Sequence, residues 1–255
     1  MNEAEELARL VSEIRETVKI MLAVQTPDLP RPRVAQGAPA TDELAQWSMR
    51  VYAYSLLCQF REVLDSTLLL FDSGHVPAVF LCCRSLFEMA AHAYYTKKWA
   101  TDHLAKKNYE EAWKFMLGIN QGSRYMKDKY EKLPPIELVE GPHIGKVINT
   151  FNEYFKEHGD NEAREKYSFL SEFCHPNSFA FTNHIDFTEK KDDVVVKFAK
   201  PSPSICIQVL PDAWFSSMPL LFSLNELLEA CGDKTLNGAV KEFVKTVGSG
   251  AEDKK

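Results

Sequence analysis

The chain has no cysteine pair at C-x-x-C spacing, no glycine-rich phosphate loop, no apolar run of bilayer length and no large excess of one charge. Each absence removes a class of protein. The six cysteines, Cys58, Cys82, Cys83, Cys174, Cys206 and Cys231, fall mostly inside apolar stretches, so they read as buried reduced thiols and not as a disulfide frame or zinc knuckle. With only 11 Gly and 13 Pro in 255 residues, and 45% apolar residues, the chain carries enough apolar surface to offset ordering entropy, which excludes disorder over most of its length. The 30 basic and 36 acidic residues leave a net charge of -6, which argues against generalised binding to phosphate backbones or anionic lipid while leaving room for a local basic site. Runs such as Leu68 to Phe71 and Val79 to Cys83 are core-sized, far short of the roughly 18 apolar residues that span a bilayer. The N-terminal MNEAEELARLVSEIRE is acidic and amphipathic and lacks the apolar region of a secretory signal. The expectation is a cytoplasmic protein with no membrane partner.

What is present is helical periodicity. From Glu3 to Val24, Leu7, Val11, Ile14, Val18 and Met21 alternate steps of four and three, a narrow seam that needs a partner surface. The stretch TPDLPRPRVAQGAPAT, with Pro27, Pro30, Pro32 and Pro39, forbids a helix, so residues 1–25 form a helix loosely tethered by a linker over 26–41. That helix would pack on its own body or on a second copy, and a homodimer is the expected assembly. Thr41 and Asp42 look like a helix start, opening a pattern from about Glu43 to Phe71 that Asp72-Ser73-Gly74 ends. A second long pattern from Val76 to Trp99 should pair antiparallel with it across so short a connection. Further helical patterns cover about Asp102 to Lys132, His143 to Glu157, Asn161 to Cys174, Asp212 to Ala230 and Leu236 to Val247. Alternation from Phe179 to Phe187 and the β-branched Val194-Val195-Val196 predict a small hairpin at about 179–199, lying against the helices. The predicted fold is thus mainly α: a helical bundle over 42–247 with one small β-hairpin in its C-terminal third, and a disordered tail over 248–255.

Two polar stripes stand out. Arg84, Glu88 and His92 recur every four residues on a helix that is otherwise apolar on almost every face. Arg placed N-terminal to Glu is the poorer orientation for helix stability, and a buried ion pair seldom stabilises a fold relative to apolar residues. The pair therefore either pins a neighbouring element or serves a site. Tyr167, Ser171 and His175 form a second stripe, and Pro176 should place His175 at a helix C-terminus, where the dipole favours its protonated form. The bland alternative is that His175 caps the last carbonyls. If the two helices face each other, Arg84 and Glu88 would meet Tyr167 and His175 inside the bundle, making Arg84, Glu88, Tyr167, Ser171 and His175 the candidate catalytic set.

Other chemistries fit less well. Glu88, His92, His175 and His184 are acceptable metal ligands, but H-E-x-x-H and the carboxylate-rich di-iron pattern do not occur, so no metal or other cofactor is expected. No G-x-S-x-G elbow is present for a serine hydrolase. Lysines at 97–98, 106–107 and 127–132, interleaved with Tyr94, Tyr95, Tyr109, Trp113, Tyr125 and Tyr130, would suit an RNA-facing surface, though Glu110, Glu111, Asp128 and Glu131 dilute it toward an ordinary solvated face.

The R-x-x-x-E of Arg84 to Glu88 together with the Y-x-x-L-S-x-x-x-H beginning at Tyr167 and ending at His175 resembles a bacterial family of helical proteins of unknown function, over about Glu43 to Ala230. The recurring Arg, Glu and His of that family map onto Arg84, Glu88 and His175. The family in turn looks distantly similar to HEPN domains, helical bundles that often dimerise and serve as metal-independent ribonucleases in toxin and phage-defence systems. HEPN nucleases use an Arg followed after four to six residues by a His, whereas here seven residues separate Arg84 from His92. The resemblance implies an RNA or nucleotide ligand, with His175 exchanging a proton, Arg84 stabilising phosphorane charge, and Glu88 and Tyr167 holding them in place. The competing expectation is a noncatalytic interaction or sensor module that self-associates through its N-terminal helix.

Overall fold

A helix that is apolar on nearly every side must be surrounded, and the computed structural model shows how. It describes residues 3–33, 40–121, 141–157, 163–174, 185–190, 193–198 and 202–252. Among them are eight α-helices: α1 (Glu3–Leu22), α2 (Asp42–Asp72), α3 (Val76–Ala105), α4 (Tyr109–Gln121), α5 (Ile144–Glu157), α6 (Ala163–Cys174), α7 (Leu210–Ala230) and α8 (Asn237–Glu252). Two strands, β1 (Ile185–Lys190) and β2 (Asp193–Phe198), pair antiparallel with Ile185 opposite Phe198, and a short 3-10 helix spans Pro203–Gln208. The fold is mainly helical. The remaining hairpin positions, 179–184, 191–192 and 199, lie outside the described residues.

Local chemistry sets the helix ends. The Thr41 side chain accepts a hydrogen bond from the Leu44 amide, and Asp42 and Glu43 place negative charge at the positive end of α2. Gly74, at φ +71°, supplies the left-handed residue that turns the chain after α2, and Pro77 sits in the first turn of α3, where its missing N–H costs nothing. The three-residue connection returns α3 along α2. The sequence reading stopped α3 at Trp99, six residues early, because Lys97, Lys98, Thr101 and Asp102 break the apolar pattern. These residues occupy the side of the helix that emerges from the core, and the helix runs on to Ala105, capped by Lys106 and followed by Lys107, a non-glycine residue at φ +57°.

Helix α3 is the axis of the bundle. It packs most extensively on α7 and α2, and also on α4, α5 and α6. Ala90, Ala91 and Ala93 are fully buried on it, and Ser216, Ser217 and Ser223 are buried on α7, so small side chains permit the close approach of the two helices. Two segments, Val76–Ala105 and Ser204–Ala230, are long and apolar enough to cross a membrane by length and composition, a length the sequence reading did not assign to any stretch. Half or slightly more of each is buried inside the protein, which gives their apolar character a packing role.

Of the two packings open to the N-terminal helix, the structure shows the one on its own body, and it is held there more firmly than a loose tether implies. Helix α1 packs against α2, α7 and α8 of its own body, burying Val11, Ile14, Val18 and Met21. The Trp214 indole N–H donates to Thr17 Oγ1 at 3.2 Å, and Arg15 holds Asp72 at 2.8 and 3.0 Å. The first part of the linker, described to residue 33, is tied as well, since the Trp47 indole donates to the Leu29 carbonyl at 3.0 Å and Arg31 lies over the same ring. Proline forbids helix but not docking, which is why composition alone misjudged this segment. At the other end, α8 continues to Glu252, past the expected tail start at 248. Glycines weaken a helix by only about 1 kcal/mol each, and no proline stops this one.

These contacts make α1 part of the core. Ile14→Ala, at a fully buried position, should cost about 2–4 kcal/mol of unfolding free energy in a denaturant titration. Leu22→Ala, at a residue 56% exposed, should change it by less than about 0.5 kcal/mol. Equal and negligible effects would mean that α1 does not pack on the body.

Candidate functional site

Helix α6 covers α3 where α3 carries its polar stripe. Arg84 Nε donates to Glu88 Oε1 at 3.0 Å along α3, and Arg84 Nη2 donates across the interface to the Tyr167 hydroxyl at 3.0 Å. The hydroxyl in turn donates to Glu88 Oε1 at 3.1 Å. The three side chains thus form a closed triangle, and the Arg84 guanidinium also lies 5.3 Å from the centre of the Tyr167 ring. Side-chain exposures of 25% for Arg84 and 31% for Glu88 leave the cluster open to solvent on one side. Burial works against the Arg84 charge, but the hydrogen bonds that Arg84 donates to Tyr167 and Glu88, with the negative Glu88 carboxylate, outweigh it and hold the pKa above its ordinary value. Arg84 is a permanent cation with two of its five N–H donors used by Glu88 and Tyr167.

The other members of the predicted set fall differently. Ser171 donates its hydroxyl proton to the Tyr167 carbonyl at 2.7 Å, a back-bond within α6, so its proton is committed to the backbone. His92 is half-buried, and burial lowers its pKa, with the Glu88 charge pulling the other way. A neutral imidazole is a poor anion ligand, so Arg84 is the cation of this stripe. His175 lies outside the described residues, as do Pro176 and His184. The residue before it, Cys174, closes α6 and donates its thiol to the Leu170 carbonyl at 3.1 Å. Burial raises the Cys174 pKa, and the neighbouring Arg84 opposes that rise, so the end of α6 lies within reach of the guanidinium. Among the described residues no three His, Cys, Asp or Glu side chains converge as a metal-ligand set.

In the described part of the lysine-rich surface, three of the lysines are held in ion pairs. Lys97 pairs with Glu226 at 2.9 Å, Lys98 with Glu153, and Lys106 with Asp102 at 2.7 Å. Tyr94 and Tyr95 are buried, which removes them as platforms for an incoming base. Residues 122–140, with the remaining lysines, lie outside the described residues.

Sequence reading missed a cavity beside the triangle. A space of about 260 Å³ opens between α3, α5, α6 and α7, walled by Phe87, Phe151, Tyr154, Phe155 and Phe215. The Lys166–Asp212 ion pair, at 3.1 Å, stands at its edge. Phe87 precedes Glu88 and Lys166 precedes Tyr167, so cavity and triangle share two helices. The one signal for it was Pro219, a helix breaker inside an apolar helical pattern, which also lines the cavity.

Two outcomes test this geometry. Tyr167→Phe strips Glu88 of a donor and Arg84 of an acceptor and should cost about 1–2 kcal/mol in chemical denaturation, whereas Ser171→Ala should stay within about 0.5 kcal/mol. The folded-state pKa of His92 lies below its unfolded value of about 6.5, so its contribution is intact above that pH and is lost as pH falls through the folded pKa. His92→Gln should therefore lose less melting temperature than the parent between pH of about 7.5 and 5; parallel profiles would remove His92 as a source of acid sensitivity. Comparison with protein-family models, curated proteins and solved structures found no match to this chain.

Proposed function

We propose that the chain is an RNA-binding helical domain acting as a metal-independent, HEPN-like ribonuclease of a defence or toxin system. The observation that carries this reading is the Arg84 guanidinium, held by Glu88 and Tyr167 at 3.0 Å on facing helices while one side of the cluster meets solvent. A cation fixed before substrate arrives needs no reorganisation when charge develops on a phosphorane, which is the condition for effective electrostatic stabilisation. Glu88 and Tyr167 act as positioning residues. They orient the guanidinium and are not themselves asked to move a proton. His175 supplies the proton transfer to or from the ribose 2'-hydroxyl or the leaving oxygen, as the motif resemblance implies, and its chain neighbour Cys174 feels the Arg84 charge.

One observation favours a second reading. In the triangle each side chain satisfies the other two, as a device pinning α6 to α3 would, and this suits a noncatalytic interaction module. In that case the cluster contributes to stability alone.

Labelled single-stranded RNA incubated with the purified chain in chelator separates the two. The ribonuclease reading expects cleavage that persists in chelator and falls by about 100-fold or more in His175→Ala and in Arg84→Gln. Absence of cleavage by the parent protein, or full activity of both variants, would overturn it.

A further inference from the structure

The cavity between α3, α5, α6 and α7 differs from the triangle beside it in the chemistry of its lining. Phe87, Phe151 and Phe155 meet edge to face or tilted, with centres 5.1 to 6.1 Å apart, and Tyr154 stacks on Phe151 at 5.7 Å. Met218 and Pro219 add apolar surface from α7, and Phe215, the one exposed residue of the lining at 52%, stands where the space opens to solvent. The polar side chains of the lining are engaged already. Ser216 donates to the Asp212 carbonyl at 2.6 Å, the Lys166 ammonium pairs with the Asp212 carboxylate at 3.1 Å and lies 5.7 Å from the centre of the Phe155 ring, and Lys166, Asp212 and Tyr154 all make further interactions.

Such a lining selects a chemical class. A ligand bearing charge, donors or acceptors would shed its hydration against groups whose bonds are made, and the loss would not be returned. An apolar ligand has no such bonds to lose, and its entry frees the aromatic walls from water. Ring walls favour a ring over a flexible chain, because edge-to-face and offset contacts add to the gain from buried area and a rigid ring has no rotamers to order. Volume sets the size. An apolar cavity of about 150 Å³ is enough for benzene, so a space of about 260 Å³ suits two fused rings. We propose that this cavity binds an uncharged, apolar aromatic compound of two fused rings, with Phe215 closing against one face of it. The proposal goes beyond the RNA reading and does not depend on it.

Calorimetric titration of the full chain with naphthalene, up to its solubility limit, tests the site. Saturable binding of one molecule per chain is expected. Purine, a bicycle of similar size whose ring nitrogens need hydrogen-bond partners, should bind about 10-fold more weakly or worse. Phe215→Ala should weaken naphthalene binding by about 3- to 10-fold, the range set by loss of one aromatic contact, at an unchanged melting temperature because the ring is half exposed. Val244→Ala removes an apolar residue 49% exposed but outside the lining, and it should bind as the parent does. Absence of naphthalene binding, purine binding as tight as naphthalene, or equal effects of the Phe215 and Val244 variants would each overturn the proposal. RNA cleavage is read in a separate assay, so its presence or absence leaves this result standing.

Discussion

Five helices enclose α3, and most of what the molecule does with its polar residues follows from that enclosure. Most side chains along the middle of such a helix are met by a neighbour, so an ionisable group that is buried there is either matched by hydrogen-bonding partners or destabilising. Arg84 and Glu88 are matched by Tyr167 from α6, a short helix whose own packing on α3 brings the hydroxyl into place. The poor order of Arg before Glu along the helix matters less once a third group bridges them. The same enclosure explains why α3 and Ser204–Ala230 are apolar enough to pass for membrane spans while about half buried inside the protein.

The long elements were legible because periodicity and end signals agreed. Thr41 with Asp42, the Ser73-Gly74 turn and Pro77 bracket α2 and α3 by mechanisms that act within a few residues, so no tertiary knowledge was needed. What failed was whatever depended on partners distant in sequence. Nothing within 26–33 says that Leu29 will accept from Trp47, and nothing in residues 3–22 says that Thr17 will meet Trp214, almost two hundred positions away. The far end of α3 failed for a related reason. Its lysines look like a break in the pattern, yet they are salt-bridged to α5 and α7 as the helix leaves the core.

The candidate site divides along the same line. Arg84, Glu88 and Tyr167 were visible as charges and hydroxyls where a helix should be apolar, an anomaly that a single sequence can display. The neighbouring cavity was not, because Phe87, Phe151 and Phe155 look like ordinary core residues at helical spacing, and only their joint failure to fill the space between four helices makes them a wall. Ser171 illustrates the opposite error. It shares the stripe of Tyr167, but a serine inside a helix has a carbonyl one turn back within reach, and that local bond takes its proton before any distant partner can.

The triangle and the cavity also differ in what they require of the fold. A closed set of hydrogen bonds holds α6 against α3 and fixes a cation at their joint, while the aromatic walls beside it leave a void that close packing would ordinarily remove. The space is open to solvent on one side, so its aromatic walls meet water where larger side chains would meet them. Filling it would need only bulkier residues at Ser216 or Met218, both of which line the space. Pro219 also lines the space and has no N–H to give to the hydrogen-bond ladder of α7 at that level.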